Sequence, residues 1–131
     1  MKRTCLPAAA GVLAAALAGS ALAHHSNAMF EARKQVTVNG TVVDFEYTNP
    51  HAWLVVDVPG AAGKAVRWSF ESDGPSTLLR SGIAKSSLVA GDKVSITGRP
   101  LRDGRPGGRL IKVVKADGTV LEPHPNAEAP R

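Results

Sequence analysis

The run Gln35 to Tyr47, "QVTVNGTVVDFEY", constrains the fold more than any other stretch. Val36, Val38, Gly40 and Val42 alternate with polar residues and share one face of an extended strand. The apolar phase then moves by one residue, to Val43, Phe45 and Tyr47. A strand has a side-chain period of two, so a slip of one residue would turn the apolar set outward. A β-bulge absorbs such a slip and bends the strand, and Gly40 beside it admits a sharp bend. The sequence therefore predicts one long, bent first strand.

The rest of the chain supplies its partners. Thr48-Asn49-Pro50 is a turn signal. His51 to Val58 is apolar on both faces, as in a central strand, with Trp53 expected in the core. Pro59 to Lys64 is a loop. Val66, Trp68 and Phe70 alternate with Arg67, Ser69 and Glu71 in a half-buried strand. Asp73-Gly74-Pro75 reads as the capped start of a short helix through Arg80, closed by Gly82. Val94, Ile96 and Gly98 mark a fourth strand, "RDGRPGG" a hairpin tip, and "RLIKVVKA" a fifth strand before the Asp117-Gly118 turn. Strand, strand, strand, short helix, strand, strand is the order of an OB-fold, a five-stranded barrel. The expected fold class is all-β with one short helix, a small OB-fold-like barrel over residues 35–121. Another small barrel or sandwich shares the strand count.

The ends bear on location. Lys2 and Arg3, the apolar run Leu6 to Leu17 and the small residues of Ala21-Leu22-Ala23 read as a signal peptide over residues 1–23. The run is too short to span a membrane, which takes about 20 residues. Cys5 precedes it and leaves with the signal. Cleavage after Ala23 takes 23 of 131 residues and leaves 108, one small domain. Sixteen basic residues less Lys2 and Arg3 leave 14 against 11 acidic ones, a net charge of +3 with histidines neutral. That is a weak pull on polyanions. No cysteine remains, so the core rather than a disulfide framework must hold the domain. The form of the signal looks bacterial, and the expected compartment is the periplasm. Residues 24–34 read as an N-terminal tail. Residues 122–131, with three prolines, read as a disordered tail in which His124 is solvent-exposed.

His24-His25-Ser26 and Tyr47-Thr48-Asn49-Pro50-His51-Ala52-Trp53 resemble a family of small exported bacterial proteins of unknown function. Its members begin "HHS" after the signal, then carry an "NPHAW"-like turn, a W-x-F-E strand and a GD-x-V turn. Trp68-Ser69-Phe70-Glu71 and Gly91-Asp92-Lys93-Val94 stand at the matching places. The resemblance implies an exported single domain with no established activity. It carries over no catalytic residues.

Three features carry candidate chemistry. The first is a metal site from His24, His25 and His51. A chain cut after Ala23 would give His24 a free amine, and an amine with imidazoles suits copper first, then nickel or zinc. The geometry is demanding. Twelve strand residues at ~3.4 Å separate the ends of the first strand by about 40 Å if it is straight. Eleven tail residues cover that only at full extension, ~3.6 Å each, so the bend must shorten the path. The plainer reading leaves His24-His25 in a mobile terminus and has His51 satisfying a turn. The second feature is the basic hairpin, with Arg99, Arg102, Arg105 and Arg109 followed by Lys112 and Lys115. It suits an anionic glycan, a lipid headgroup or a partner protein better than nucleic acid, which a periplasmic protein rarely meets. The plainer reading is a solvated strand face. The third is catalysis. There is no cysteine nucleophile, Gly-x-Ser-x-Gly elbow, HExxH motif or phosphate loop. Glu46, Glu71 and Asp73 lack the spacing of an acid/base pair, and Glu71 is expected to pair with Arg67 or Arg80. No enzyme is expected.

Overall fold

A computed structural model of the chain describes residues 28–124. Residues 1–23, where a signal peptide is expected, and the metal candidates His24 and His25 lie outside them. The elements run β1 (Val36–Glu46), β2 (Trp53–Pro59), β3 (Ala65–Glu71), α1 (Pro75–Arg80), β4 (Lys93–Pro100), β5 (Gly107–Lys115) and a two-residue β6 (Val120–Leu121). The sheet order is β3-β2-β1-β4-β5-β6, and a parallel β3–β5 pairing closes the first five strands into a barrel. All the other pairings are antiparallel. The fold is the small five-stranded, OB-like barrel with one short helix that the strand order predicts.

β1 is bent where its phase slips. The β1–β2 register runs Thr41↔Asp57 and Val42↔Val56, then Asp44↔Val55, so Val43 is the extra residue. Val42 and Phe45 can then both face inward, at 2% and 4% exposure. The first half of β1 pairs with β4 and the second half with β2. Gly40 is required by close approach: a Cβ there would lie 2.7 Å from the Asp57 carbonyl oxygen.

Phe45, Leu54, Val56, Phe70, Ile96 and Val113 fill the barrel, joined by Leu78 of α1 and by Ile83 and Leu88 from the connection to β4. Trp53, expected in the core, is only half-buried, because strand alternation puts its neighbours Ala52 and Leu54 inside. α1 begins with Pro75 in its first turn and has no side-chain cap, so Asp73 does not cap it. It ends at Gly82, whose φ of +76° is the left-handed stop expected of glycine. The Ile83 N–H then donates back to the Leu78 carbonyl. Among the described residues no helix is long and apolar enough to cross a membrane.

Both ends of the described chain are held against the barrel. Phe30 is 5% exposed and bridges Leu101. The Arg102 N–H donates to the Met29 carbonyl, and the Glu31 N–H to the Pro100 carbonyl. At the other end Pro123 is fully buried and its carbonyl accepts from Ser81 Oγ at 2.7 Å. Residues 122–124 of the expected disordered tail are thus docked on the barrel.

Candidate functional site

The β2–β3 pairing extends past Trp53↔Glu71 through backbone hydrogen bonds from Ser72 to Ala52 and from Ala52 to Asp73. This seats the Asn49-Pro50-His51 turn, whose Asn49–Pro50 peptide is cis, against Gly74. A Cβ on Gly74 would lie 2.6 Å from the Pro50 carbonyl oxygen. The turn delivers His51 to the end of β3, where Nδ1 lies 2.7 Å from Glu71 Oε1. The imidazole is 37% exposed and the carboxylate only 6%.

Barrel closure completes the site. The parallel pairing Glu71↔Arg109 brings the β5 guanidinium beside the β3 carboxylate. Arg109 Nη1 is 3.6 Å from Glu71 Oε1, and Nη2 donates to Asp73. His124 Nε2 pairs with the other Asp73 oxygen. His51, Glu71, Arg109, Asp73 and His124 therefore form one continuous ladder of basic and acidic side chains, drawn from the turn before β2, the end of β3, β5 and the C-terminal segment. Glu71 is 4% exposed, a burial a carboxylate tolerates only with such partners. The ladder also offsets a repulsion, since Arg99 and Arg109 stand directly opposite each other on β4 and β5.

This differs from the sequence expectation in three ways. Glu71 joins His51 and Arg109. Arg67 instead holds Asp57, its cross-strand partner, at 3.0 Å, and Arg80 donates to Thr77. His124 is half-exposed but is tied to Asp73. Sequence reading missed Asp73 and His124 as members of the cluster, because neither has a local partner that would flag it.

The four arginines of the basic hairpin do not form one field. Arg109 is committed to Asp73 and Glu71, and Arg102 Nε donates to the Phe30 carbonyl at 3.1 Å. Arg105 Nε lies 2.7 Å from Asp103 Oδ2. The Arg105 backbone N–H and then its guanidinium hold the Asp103 carboxyl below its ordinary range. Of the four, Arg99 alone has no side-chain partner among the described residues.

Of the metal candidates, His51 is the one the structure describes. Among the described residues no group of three or more His, Cys, Asp or Glu side chains is placed to hold a metal ion. Any site must draw ligands from elsewhere. The single ring shows how one ligand would be prepared: Glu71 Oε1 lies against Nδ1, so a neutral imidazole with its proton there would keep Nε2 for a ligand. No partner occupies Nε2 among the described residues. A carboxylate behind a histidine is the usual support for a metal-ligating imidazole.

No curated protein and no solved structure matches the chain significantly. A family model does, over residues 12–110, which run from the N-terminal apolar stretch through the barrel to Leu110 in β5. By that match the chain belongs to a family of unknown function, DUF6152.

Proposed function

We propose that the chain is exported to the periplasm, loses residues 1–23, and binds a divalent metal, copper first, through His24, His25 and His51. The observation that carries this is the Glu71–His51 pair: a buried carboxylate orients an exposed imidazole by one nitrogen and leaves the other for a ligand bond. His24 would contribute its amine and ring, and His25 its ring, a nitrogen set that suits Cu(II).

The path is shorter than the sequence alone suggests. The tail need not travel back along β1, because Phe30 is already pinned beside the closure of the barrel. Phe30 bridges Leu101, the Leu101 N–H donates to Gly107, and Gly107 pairs with Ser69, two residues from Glu71. Three strand spacings of ~4.8 Å and two residues of rise put the Phe30 and Glu71 backbones about 16 Å apart at most. Six residues separate His24 from Phe30, and they span up to ~21 Å.

The anionic-ligand reading has less behind it. Three of its four arginines are engaged within the chain, which leaves it Arg99.

The test begins with the native precursor expressed in an exporting bacterium. The processed form should have the mass of a chain starting at His24 and should bind Cu(II). One extra residue ahead of His24 should weaken binding sharply, and Glu71→Gln should weaken it ~10-fold through loss of the orienting charge. His51→Ala should do at least as much. Equal affinity for the native and extended forms would remove the amine from the site. An unchanged affinity in His51→Ala would confine binding to the N-terminal pair.

A further inference from the structure

The end of the barrel away from the ladder carries a different feature. A hollow of about 610 Å³ opens between the β2–β3 hairpin, the Gly40 bend of β1 and the start and end of β4 and β5. Its wall is mostly apolar, with Pro59, Ala65, Val94 and Val114 among its residues. The volume falls within the ~300–1,000 Å³ of small-molecule sites.

Three charged side chains stand at its wall: Asp57, Lys115 and Lys93. Asp57 is neutralised by Arg67 through two hydrogen bonds. Lys115 is neutralised by Asp92 at 3.3 Å, and its Nζ also donates to the Ser87 carbonyl. Lys93 Nζ donates only to the Thr41 hydroxyl, at 2.6 Å, and among the described residues no carboxylate pairs with it. The hollow thus has an apolar wall and one uncompensated ammonium beside it. A neutral apolar ligand would leave that charge unused, and a dianion would meet only one free cation.

We infer that this hollow binds a single-chain monoanionic amphiphile, its hydrocarbon against Pro59, Ala65, Val94 and Val114 and its carboxylate on Lys93 Nζ. The site is independent of the metal proposal, since it shares no residue with the ladder.

The probe is sodium dodecanoate, read by displacement of dansylundecanoic acid from the exported protein. Dodecanoate should compete and dodecanol should compete at least ten times more weakly. Lys93→Gln should weaken dodecanoate roughly tenfold, the size of one lost charge-assisted hydrogen bond. Ala65→Trp should abolish binding by filling the hollow. Lys34→Gln, an exposed lysine away from the hollow, should leave binding unchanged. Circular dichroism and thermal melting confirm the fold of each variant, and should Ala65→Trp not fold, Lys93→Gln at an exposed position still decides. No competition by dodecanoate overturns the inference. So does equal competition by dodecanol, or wild-type affinity in both Lys93→Gln and Ala65→Trp. Binding to phospholipid vesicles without competition by free dodecanoate also overturns it, and marks a membrane surface instead.

Discussion

The two ends of the barrel use charge in opposite ways. At one end, His51, Glu71, Arg109, Asp73 and His124 pair with one another in an unbroken series. At the other, Lys93 stands over an apolar hollow with only a hydroxyl as partner. β3 joins them, with Ala65 at the hollow and Glu71 in the ladder. The same residue types therefore serve different purposes according to what closes over them. The β3–β5 closure buries Glu71 among its partners, whereas the far end leaves the Lys93 ammonium beside the hollow with no carboxylate paired to it among the described residues. His51 and His124 each meet a carboxylate through one ring nitrogen, and among the described residues the second ring nitrogen of each has no partner.

The largest expected effect tests that contrast by removing one cation from each end. Arg109→Ala strands Glu71 and part of Asp73 without their counter-charge and should lower unfolding free energy by about 3 kcal/mol. Lys93→Gln should change it by less than about 0.5 kcal/mol, as surface substitutions do. Urea denaturation of the two variants measures both. Arg109→Met combined with Glu71→Met should recover part of the loss, because the most buried carboxylate leaves together with its cation. Equal losses at the two ends would erase the distinction.

Backbone crowding gives the next effect. A Cβ on Gly108 would lie 2.2 Å from the Arg99 carbonyl oxygen, against 2.7 Å between Gly40 and Asp57. Both contacts are to backbone and cannot be relieved by a rotamer. Gly108→Ala, at the ladder end, should cost about 3 kcal/mol, and Gly40→Ala, at the hollow, about 1–2 kcal/mol. Thermal melting should rank them in that order.

A smaller effect concerns the helix near the ladder. The Tyr47 hydroxyl donates to the Ile83 carbonyl at 2.8 Å and lies 3.1 Å from the Pro75 carbonyl, tying the start of α1 and the segment after it to the residue that follows β1. Burial raises its pKa above the ordinary value. Tyr47→Phe should cost about 1 kcal/mol, one net hydrogen bond, measured by urea midpoint.

The barrel was legible because its signals are local. The Val42–Val43 phase slip, the Pro75 and Gly82 bounds of α1 and the alternation in β3 and β4 each follow from a few neighbouring residues. The ladder was not, because its contacts exist only after closure. Glu71 and Arg109 are 38 positions apart and meet through the parallel pairing. Spacing within a strand offered Arg67 as the partner of Glu71, yet Arg67 faces Asp57 across the hairpin. His51 stood out for its Asn-Pro-His turn, but the carboxylate that orients it could not be chosen from sequence. The hollow left no sequence mark at all, since its wall is made of ordinary strand ends.

Acid separates local from long-range charge pairs, and this gives the smallest effect. The Asp92 carboxyl is held below its ordinary value of 3.8 first by the Val89 N–H and also by Lys115. A depressed folded-state pKa stabilises the fold above the unfolded value and is lost as pH falls through the folded one. Unfolding free energy should therefore decline as pH drops below about 3.8, and Asp92→Asn should make that decline shallower. Asp103 is also depressed, but by Arg105 only two residues away. Such a local pair persists in part in the unfolded chain, so its folded and unfolded pKa values differ less than the structure implies. The Val89 N–H that lowers Asp92 most is as local as Arg105 is to Asp103, but the second partner, Lys115, lies 23 positions away and meets Asp92 only in the folded barrel. Urea midpoints between pH 2 and pH 5 should thus flatten more in Asp92→Asn than in Asp103→Asn. The reverse order would mean that the hairpin tip, rather than the β4–β5 base, carries the acid sensitivity of the fold.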